Sequence, residues 1–587
     1  MNKKISRREF LVLSAKGVGV AIISSGLMGC DLLEGDSDIN VSFNHGVASG
    51  DPTQDAIILW TRITPKKDGN IKVTWQVATD ENFNNVTHSG ETLTNQERDY
   101  TVKIDAVNLH NNSPYFYRFM ANGETSSVGK TQTLASGALD SVNLAVMSCA
   151  NFPAGFFNVY DLASNMDNID VVLHLGDYIY EYARDEYASE HAAQYDREVL
   201  PAGELFTLAD YRTRYAQYRT DTSLQTLHGK LPFITVWDDH EVANDTYKDG
   251  AENHSAQEGD FSIRKMAALQ AYFEWLPIRP IAQDNEEEIY RSFKFGNLVD
   301  LHMLDTRVLA RDKQLEYSDY INTDTGVFDA ATFETAISDP TRTMLGETQL
   351  NWLQNQLANS TGSWQLLGQQ VLMGKMQLPA AVVLGQMSVT EFSELGALAV
   401  LAARAEAGDP TLSDDEIQYL NENQEKLTAE KMAQLQLPFI PYNLDAWDGY
   451  AYEREVILQT AKAYQKNLVV IAGDTHNGWS SELLDSQQQA VGVEFATSSV
   501  TSPGLEYYLN ISPEEMPATE QGITALIENL KYCNLQDRGF MLIKFTHTQV
   551  TASWHYVDGI ESQEYSELTN RRATAKVDIG QNTLQLI

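Results

Sequence analysis

Four short apolar runs in this sequence end in side chains able to hold a metal ion. Residues 143–147 run into Ser148 and Cys149, and residues 171–175 into Gly176, Asp177 and, three positions on, Tyr180. Residues 233–237 lead to Asp238, Asp239, His240, Glu241 and Asn244, and residues 468–472 to Gly473, Asp474 and His476. Apolar runs of this length read as strands buried on both faces, and open α/β sheets place their ligands at the carboxyl ends of such strands. Taken singly, a Gly-Asp pair after a strand reads as a turn and a buried cysteine as a small hydrophobe. Their shared position after four strands predicts one metal centre instead. Asp474, Asp239 and Asn244 offer hard oxygens suited to calcium or magnesium, whereas Cys149, Tyr180 and His476 offer a thiolate, a phenolate and an imidazole suited to a transition metal. Two kinds of metal are therefore expected, with Asp177, which has two carboxylate oxygens, as the bridge between them.

Paired cations suit attack at phosphorus, because charge grows on the leaving oxygen and a bound water is made acidic. Beside such a centre His240 is the candidate to bind a phosphoryl oxygen or protonate the leaving group. With Asp177 and Asn244 it makes up the expected catalytic set. His174, inside its strand, reads as a satisfied core histidine. Glu241 and Asp238 read as residues that orient ligands rather than as ligands.

The elements that must position these residues follow from the surrounding pattern. After residue 137, buried strands alternate with helix-like stretches, which describes one large α/β domain with its sheet covered on both faces. Residues 389–436 are rich in Ala, Glu, Gln and Leu and read as an inserted helical hairpin. Before that domain, residues 43–137 hold short alternating strands with turn residues between them, the pattern of a small β-sandwich acting as spacer or lid.

At 587 residues and 43% hydrophobic composition, the chain can bury a large core. Its net charge of −39 repels nucleic acid and anionic lipid at long range, so no nucleic-acid surface is expected and a phosphorylated substrate needs a local positive centre. Three cysteines exclude a disulfide framework. The first 29 residues read as a twin-arginine export signal, with Arg7 and Arg8 ahead of a weakly apolar run, and Cys30 follows a lipobox. Cys30 would be acylated, and Asp31 beside it predicts retention at the periplasmic face of the inner membrane. Residues 30–42 form the tether.

The combination resembles the PhoD-like alkaline phosphatase and phosphodiesterase family, a branch of the calcineurin-like metallophosphoesterases. The resemblance rests on residues 43–52 with 59–62, on Ser148-Cys149, and on His174 to Tyr182 with its Gly-Asp-Tyr-Ile-Tyr. It continues through Trp237 to Asn244, Leu304-Asp305-Thr306-Arg307, Asp445 to Tyr450 and Gly473 to His476. It implies a four-layer αββα metallophosphatase sandwich over residues 140–560, preceded by an Fn3-like β-sandwich and followed by a C-terminal extension at 561–587. It also implies ferric iron on Cys149, Asp177, Tyr180 and His476, and calcium on Asp177, Asn244 and Asp474. Asp239 stands where ordinary metallophosphoesterases carry the Asn of Gly-Asn-His, and Ser148-Cys149 replaces their leading Asp-x-His. The expected activity is hydrolysis of a small phosphoester, a phospholipid or a wall polymer outside the cytoplasm. A phospholipase D-type lipid phosphodiesterase and a non-catalytic metal-stabilised binding lipoprotein are the alternatives.

Overall fold

The computed structural model describes residues 35–280, 287–322 and 327–587, so Arg7, Arg8 and Cys30 lie outside the described residues. Two sheets form its centre. Five strands that reach one common edge are β1 (Ser141–Met147), β2 (Val171–His174), β3 (Pro232–Thr235), β4 (Val299–Met303) and β5 (Leu468–Ala472). β1, β2 and β3 run parallel and adjacent in a ten-stranded sheet, and β4 and β5 flank Trp364–Gly368 in a seven-stranded one, again in parallel. Parallel neighbours end at the same edge, which brings residues far apart in sequence to one place.

The two sheets face each other across a shared core, and helices cover their outer faces. In β5 the alternation is explicit: Val469 and Ile471 pack between the sheets, whereas Leu468, Val470 and Ala472 pack with Leu353, Leu357, Ile457 and Leu458 of the helices Gly346–Asn359 and Ala451–Ala463. On the ten-stranded sheet the covering helices include Asn158–Ser164, Leu208–Tyr218, Thr222–Lys230 and Phe261–Trp275. The layers are therefore helix, sheet, sheet, helix. The sheets are also cross-linked by polar contacts, with Trp554 Nε1 donating to Ala496 O (2.8 Å) and Trp364 Nε1 to Thr546 O (2.7 Å). Each indole adds a directional bond to a large apolar contact, so the spacing of the sheets is specified as well as favoured.

The N-terminal segment contributes to two larger sheets and to a two-stranded one of Val41–Ser42 with Thr64–Pro65. Gly129–Gln132, Pro114–Ala121, Ile71–Ala78 and Val86–Thr94 form a smaller sheet of their own, while Val47–Gly50, Ala56–Arg62 and Thr101–Val107 extend the ten-stranded sheet from β3 outward. Strand Ala56–Arg62 divides its side chains by alternation: Ile57 and Leu59 enter the sandwich core with Val73, Tyr117 and Phe119, and Trp60 enters the central core. The spacer reading is corrected here, because β3 pairs in parallel with Val47–Gly50 and the segment is bonded to the central ten-stranded sheet along its backbone. At the other end, Ala573–Asp578 and Gln585–Leu586 add two further strands to the same sheet. The stretch 389–436 forms helices Val389–Glu406, Asp414–Asn423 and Ala429–Gln434, and the first of them packs against Met516–Leu526. Among the described residues no helix is long and apolar enough to cross a membrane.

The strand ends approach so closely that one glycine is obligatory. Gly176 has φ +105°, and a Cβ there would lie 2.3 Å from the backbone nitrogen of Asp238. Gly176→Ala is expected to cost about 2 kcal/mol or more through forced separation of β2 and β3. The denaturation midpoint checks it, and an unchanged midpoint would mean that these two ends yield freely.

Candidate metal centre

The ends of β1, β2 and β5 turn abruptly at residues that carry candidate ligands. Cys149, Asp177, Asp474 and His476 have φ values of 62°, 53°, 60° and 64°, in the left-handed region that L-residues seldom occupy. Such conformations cost roughly 1–3 kcal/mol each and cluster at functional sites, where the surroundings enforce them. Here the enforcement is visible. Cys149 N donates to Gly176 O (3.2 Å) and Ala150 N to Asp177 O (2.8 Å), while Thr501 N and Ser502 N both donate to Cys149 O (3.3 Å). The turns swing the side chains off the sheet and toward one point.

Cys149, Asp177 and His476 bring ligand atoms within 4.8 Å of one another, all buried. Tyr180 joins them: its hydroxyl donates to Asp177 Oδ2 (3.1 Å), lies 3.3 Å from His476 Nε2 and accepts from Ser502 Oγ (2.6 Å). His476 Nδ1 donates to Pro503 O (2.6 Å), which leaves the Nε2 lone pair aimed into the cluster. Asp177 also groups with Asp239 and His240, and Asp239 groups in turn with Asp238 and Asp474. Asp177 is thus common to two neighbouring clusters, and its Oδ1 is buried without a hydrogen-bond partner.

The donor set fits cations. Burial, and then Asp177, pushes the Cys149 thiol well up, and burial followed by Asp177 and Cys149 does the same to Tyr180. Neither group ionises readily without a positive charge beside it. Burial raises Asp177 and Asp238 and brings Asp474 up to about 7, where Asp445 and Asp239 add to the effect and Arg307 opposes it. Asp239 is held low instead, at about 2, because Arg307 and His240 overcome its burial. An orphaned carboxylate oxygen, a thiol, a phenol and an imidazole lone pair around one point make a site for metal ions.

His240 sits on the rim of this cluster. Its ring stacks on Tyr180 (centroids 4.2 Å apart), and its Nδ1 is bonded to Glu181 Oε2 at 2.7 Å. Burial works against a charged imidazole, yet Asp239, Glu181 and Asp177 prevail and hold its pKa well above the ordinary value. Glu181 further accepts from the backbone N–H of Asn244 (2.8 Å) and from Asn253 Nδ2 (2.8 Å). Asn244 is therefore fixed through its backbone, while its side-chain amide donates outward to Glu252 at 3.3 Å. His174 bonds to Tyr160 Oη (2.8 Å) and burial drops it to about 3, so it is a neutral core histidine. Glu241 accepts the amides of Asp177 (3.0 Å), Tyr178 (2.6 Å) and Asp238 (2.7 Å), clamping the turns after β2 and β3.

Two contributors carry no role in the sequence reading. Arg307, fully buried, reaches Asp238 (2.5 Å), Asp474 (2.6 Å) and Asp445 (2.6 Å), and Arg311 pairs with Asp445 as well. Its sequence signal is its place just after β4, which matches that of the other site residues. The run Thr497–Ser502 is the other contributor. It follows strand Ala490–Ala496, braces Cys149 and Tyr180, and is marked in sequence only by its small polar composition.

Comparison with known proteins covers nearly the whole chain. Residues 144–554 match the family model described as PhoD-like phosphatase, and residues 32–135 match that of the PhoD-like phosphatase N-terminal domain. Alkaline phosphatase D of Bacillus subtilis (strain 168) is 31% identical over 522 residues, which is 86% of this chain and 77% of the relative. A solved structure described as PhoD superposes with a TM-score of 0.71 at 28% identity, covering 93% of this chain and 92% of that one.

The acids make stability depend on pH and on metal. Asp474 and Glu241, each raised to about 7, keep protons in the folded metal-free protein that the unfolded chain loses near 3.8 and 4.5. Stability of the metal-free protein must then fall as pH rises from those lower values toward 7, and deprotonation of His240 extends the loss upward. Metal-stripped protein is expected to melt lower at about pH 8 than at about pH 5.5, with added metal restoring more stability at the higher pH. Calorimetry reads both. A metal-free protein that gains stability over this range would show that the acids are already paired by other groups.

Proposed function

The chain belongs to the PhoD-like phosphatase family and is a phosphoric ester hydrolase, and on that footing we propose that it is a metal-dependent hydrolase of phosphomonoesters and phosphodiesters acting outside the cytoplasm. The observation that carries the proposal is the convergence of Cys149, Asp177, Tyr180 and His476, with Asp177 shared by the acid cluster of Asp239 and Asp474. Cys149, Asp177, Tyr180 and His476 would hold a transition metal, for which ferric iron is proposed. Asp177, Asn244 and Asp474, with Asp239 beside them, would hold calcium. When bound, the ions would supply Lewis acidity toward the phosphoryl oxygens and toward an attacking water.

The chain's own residues supply orientation and a proton. Glu181 accepts a 2.7 Å hydrogen bond from His240 Nδ1–H, so the imidazolium presents Nε2–H away from Glu181. From there His240 can donate to a phosphoryl oxygen and then transfer its proton to the leaving oxygen as the ester bond breaks. Stacking on Tyr180 fixes the plane of the ring. Arg307 shares its single positive charge among Asp238, Asp445 and Asp474, and Arg311 adds a second beside Asp445, which reduces the repulsion that an anionic substrate would meet. Glu241 holds the Asp177 and Asp238 turns in register, so a ligand and its neighbour move as a unit.

Export by the twin-arginine route and lipid anchoring through Cys30 at the periplasmic face rest on residues 1–30. With such an anchor, a membrane phospholipid or wall polymer is within reach as substrate.

Asp177→Asn is expected to remove bound metal and activity together, and Cys149→Ser to lower iron selectively. Elemental analysis with an ester panel checks both, and full activity in the Asp177 variant would overturn the site. His240→Asn is expected to lower kcat by about 10²-fold or more, with the larger loss on alkyl esters, whose leaving oxygen needs the proton most. Equal losses on alkyl and nitrophenyl esters would assign His240 to phosphoryl binding only. Cys30→Ser is expected to shift the protein from the membrane to the soluble periplasmic fraction. Unchanged membrane association would remove the anchor.

A further inference from the structure

A row of tyrosines leads from the metal centre to solvent on the side of His240. Tyr182 lies 5.3 Å from the His240 ring, and Tyr187 lies 6.4 Å from it with the two ring planes only 11° apart. Tyr187 also touches the outer side of His476, its hydroxyl 3.5 Å from Nδ1, the nitrogen that faces away from the cluster. Tyr508 Oη then donates to Tyr187 Oη (2.9 Å), and Tyr507 packs edge-on against Tyr508 at 5.6 Å.

The outer members are exposed, yet they are held. Tyr507, Tyr508 and Leu509 are 49%, 57% and 55% exposed, which is unusual for three consecutive large apolar side chains. Their hydroxyls are nevertheless tied, Tyr507 to Glu190 Oε1 (3.2 Å) and Tyr508 to Tyr187. The turn that bears them, Leu505–Tyr508, is pinned by Leu505 N to Asn477 Oδ1 (3.2 Å) and by Glu506 to Arg538 (2.5 Å). Rings fixed at their hydroxyls with exposed faces lose little further entropy on stacking, which is how tyrosine serves as a binding platform.

We propose that Tyr182, Tyr187, Tyr507 and Tyr508 form a leaving-group subsite for phosphoesters of planar aromatic alcohols, aryl or heteroaryl. The assignment deepens the hydrolase reading and rests on it. His240 gives its proton to the leaving oxygen, so the leaving group must lie on the His240 side of phosphorus. Tyr182 and Tyr187 flank His240 there, and Tyr187 carries Tyr508 and, through it, Tyr507. Every planar ring has a π-face for them to stack on, whereas a small alkyl alcohol has none.

The test compares phenyl with methyl ligands on the metal-loaded full-length protein, so that it does not depend on turnover. Calorimetric titration with phenylphosphonate and with methylphosphonate is expected to show tighter binding of the phenyl compound. Tyr508→Ala should weaken phenylphosphonate about tenfold and leave methylphosphonate within twofold, and Tyr508→Phe and Tyr508→Trp should keep the preference. Steady-state kinetics should follow, with KM for phenyl phosphate rising in Tyr508→Ala while KM for methyl phosphate stays put. Equal weakening of both phosphonates would assign Tyr508 to support of Tyr187 and His476, and would overturn the subsite. So would a wild type with no preference for phenyl. Absence of turnover with the binding preference intact would sink the hydrolase reading and leave the platform standing.

Discussion

A surplus of buried negative charge governs this molecule. Asp177, Asp238, Asp239, Asp474, Glu181 and Glu241 all lie at one edge of two sheets, and the positive groups buried among them are chiefly Arg307 and His240. An isolated carboxylate in a protein interior is costly, and the usual escape is protonation. The raised values of Asp177, Asp238, Asp474 and Glu241 are that escape. Cations offer a better one, and the thiol, phenol and imidazole opposite the acids show where the charge would concentrate.

That constraint explains the backbone around it. Left-handed turns at Cys149, Asp177, Asp474 and His476 are each unfavourable, and they persist because amide bonds from neighbouring turns hold them. Glu241 is the clearest case. It spends one carboxylate on three amides of two different turns, so a single side chain sets the distance between β2 and β3 ends. Arg307 does the corresponding work between the sheets, since Asp238 follows β3 of one and Asp474 follows β5 of the other.

The outer parts of the chain are arranged around this centre without entering it. The N-terminal strands extend the ten-stranded sheet beyond β3, and the last strands extend it at the opposite edge, which gives the central sheet width and buries its flanks. The first of the inserted helices, Val389–Glu406, lies against Met516–Leu526, the helix that follows the turn bearing Tyr507 and Tyr508. The rim of the centre and the insertion are thereby parts of one packed surface.

Local pattern was sufficient for the inner elements. An apolar run and the polar residues after it are adjacent in the chain, so the strands, their order along it and the ligand types at their ends are legible from sequence. Composition marks 389–436 as helical, although the expected hairpin is three helices, and alternation marks the short strands of 43–137. Whether a given end meets another is a different matter. Arg307 joins Asp238 and Asp474 across 69 and 167 residues, and Ser502 reaches Tyr180 across 322. The pairing of β3 with Val47–Gly50, which makes the N-terminal segment part of the central sheet, spans a comparable gap. The sequence by itself determined which side chains stand at which strand ends. Only the tertiary structure decided which ends share a centre and what balances their charge, because strand pairing and electrostatics act between residues that no local pattern connects.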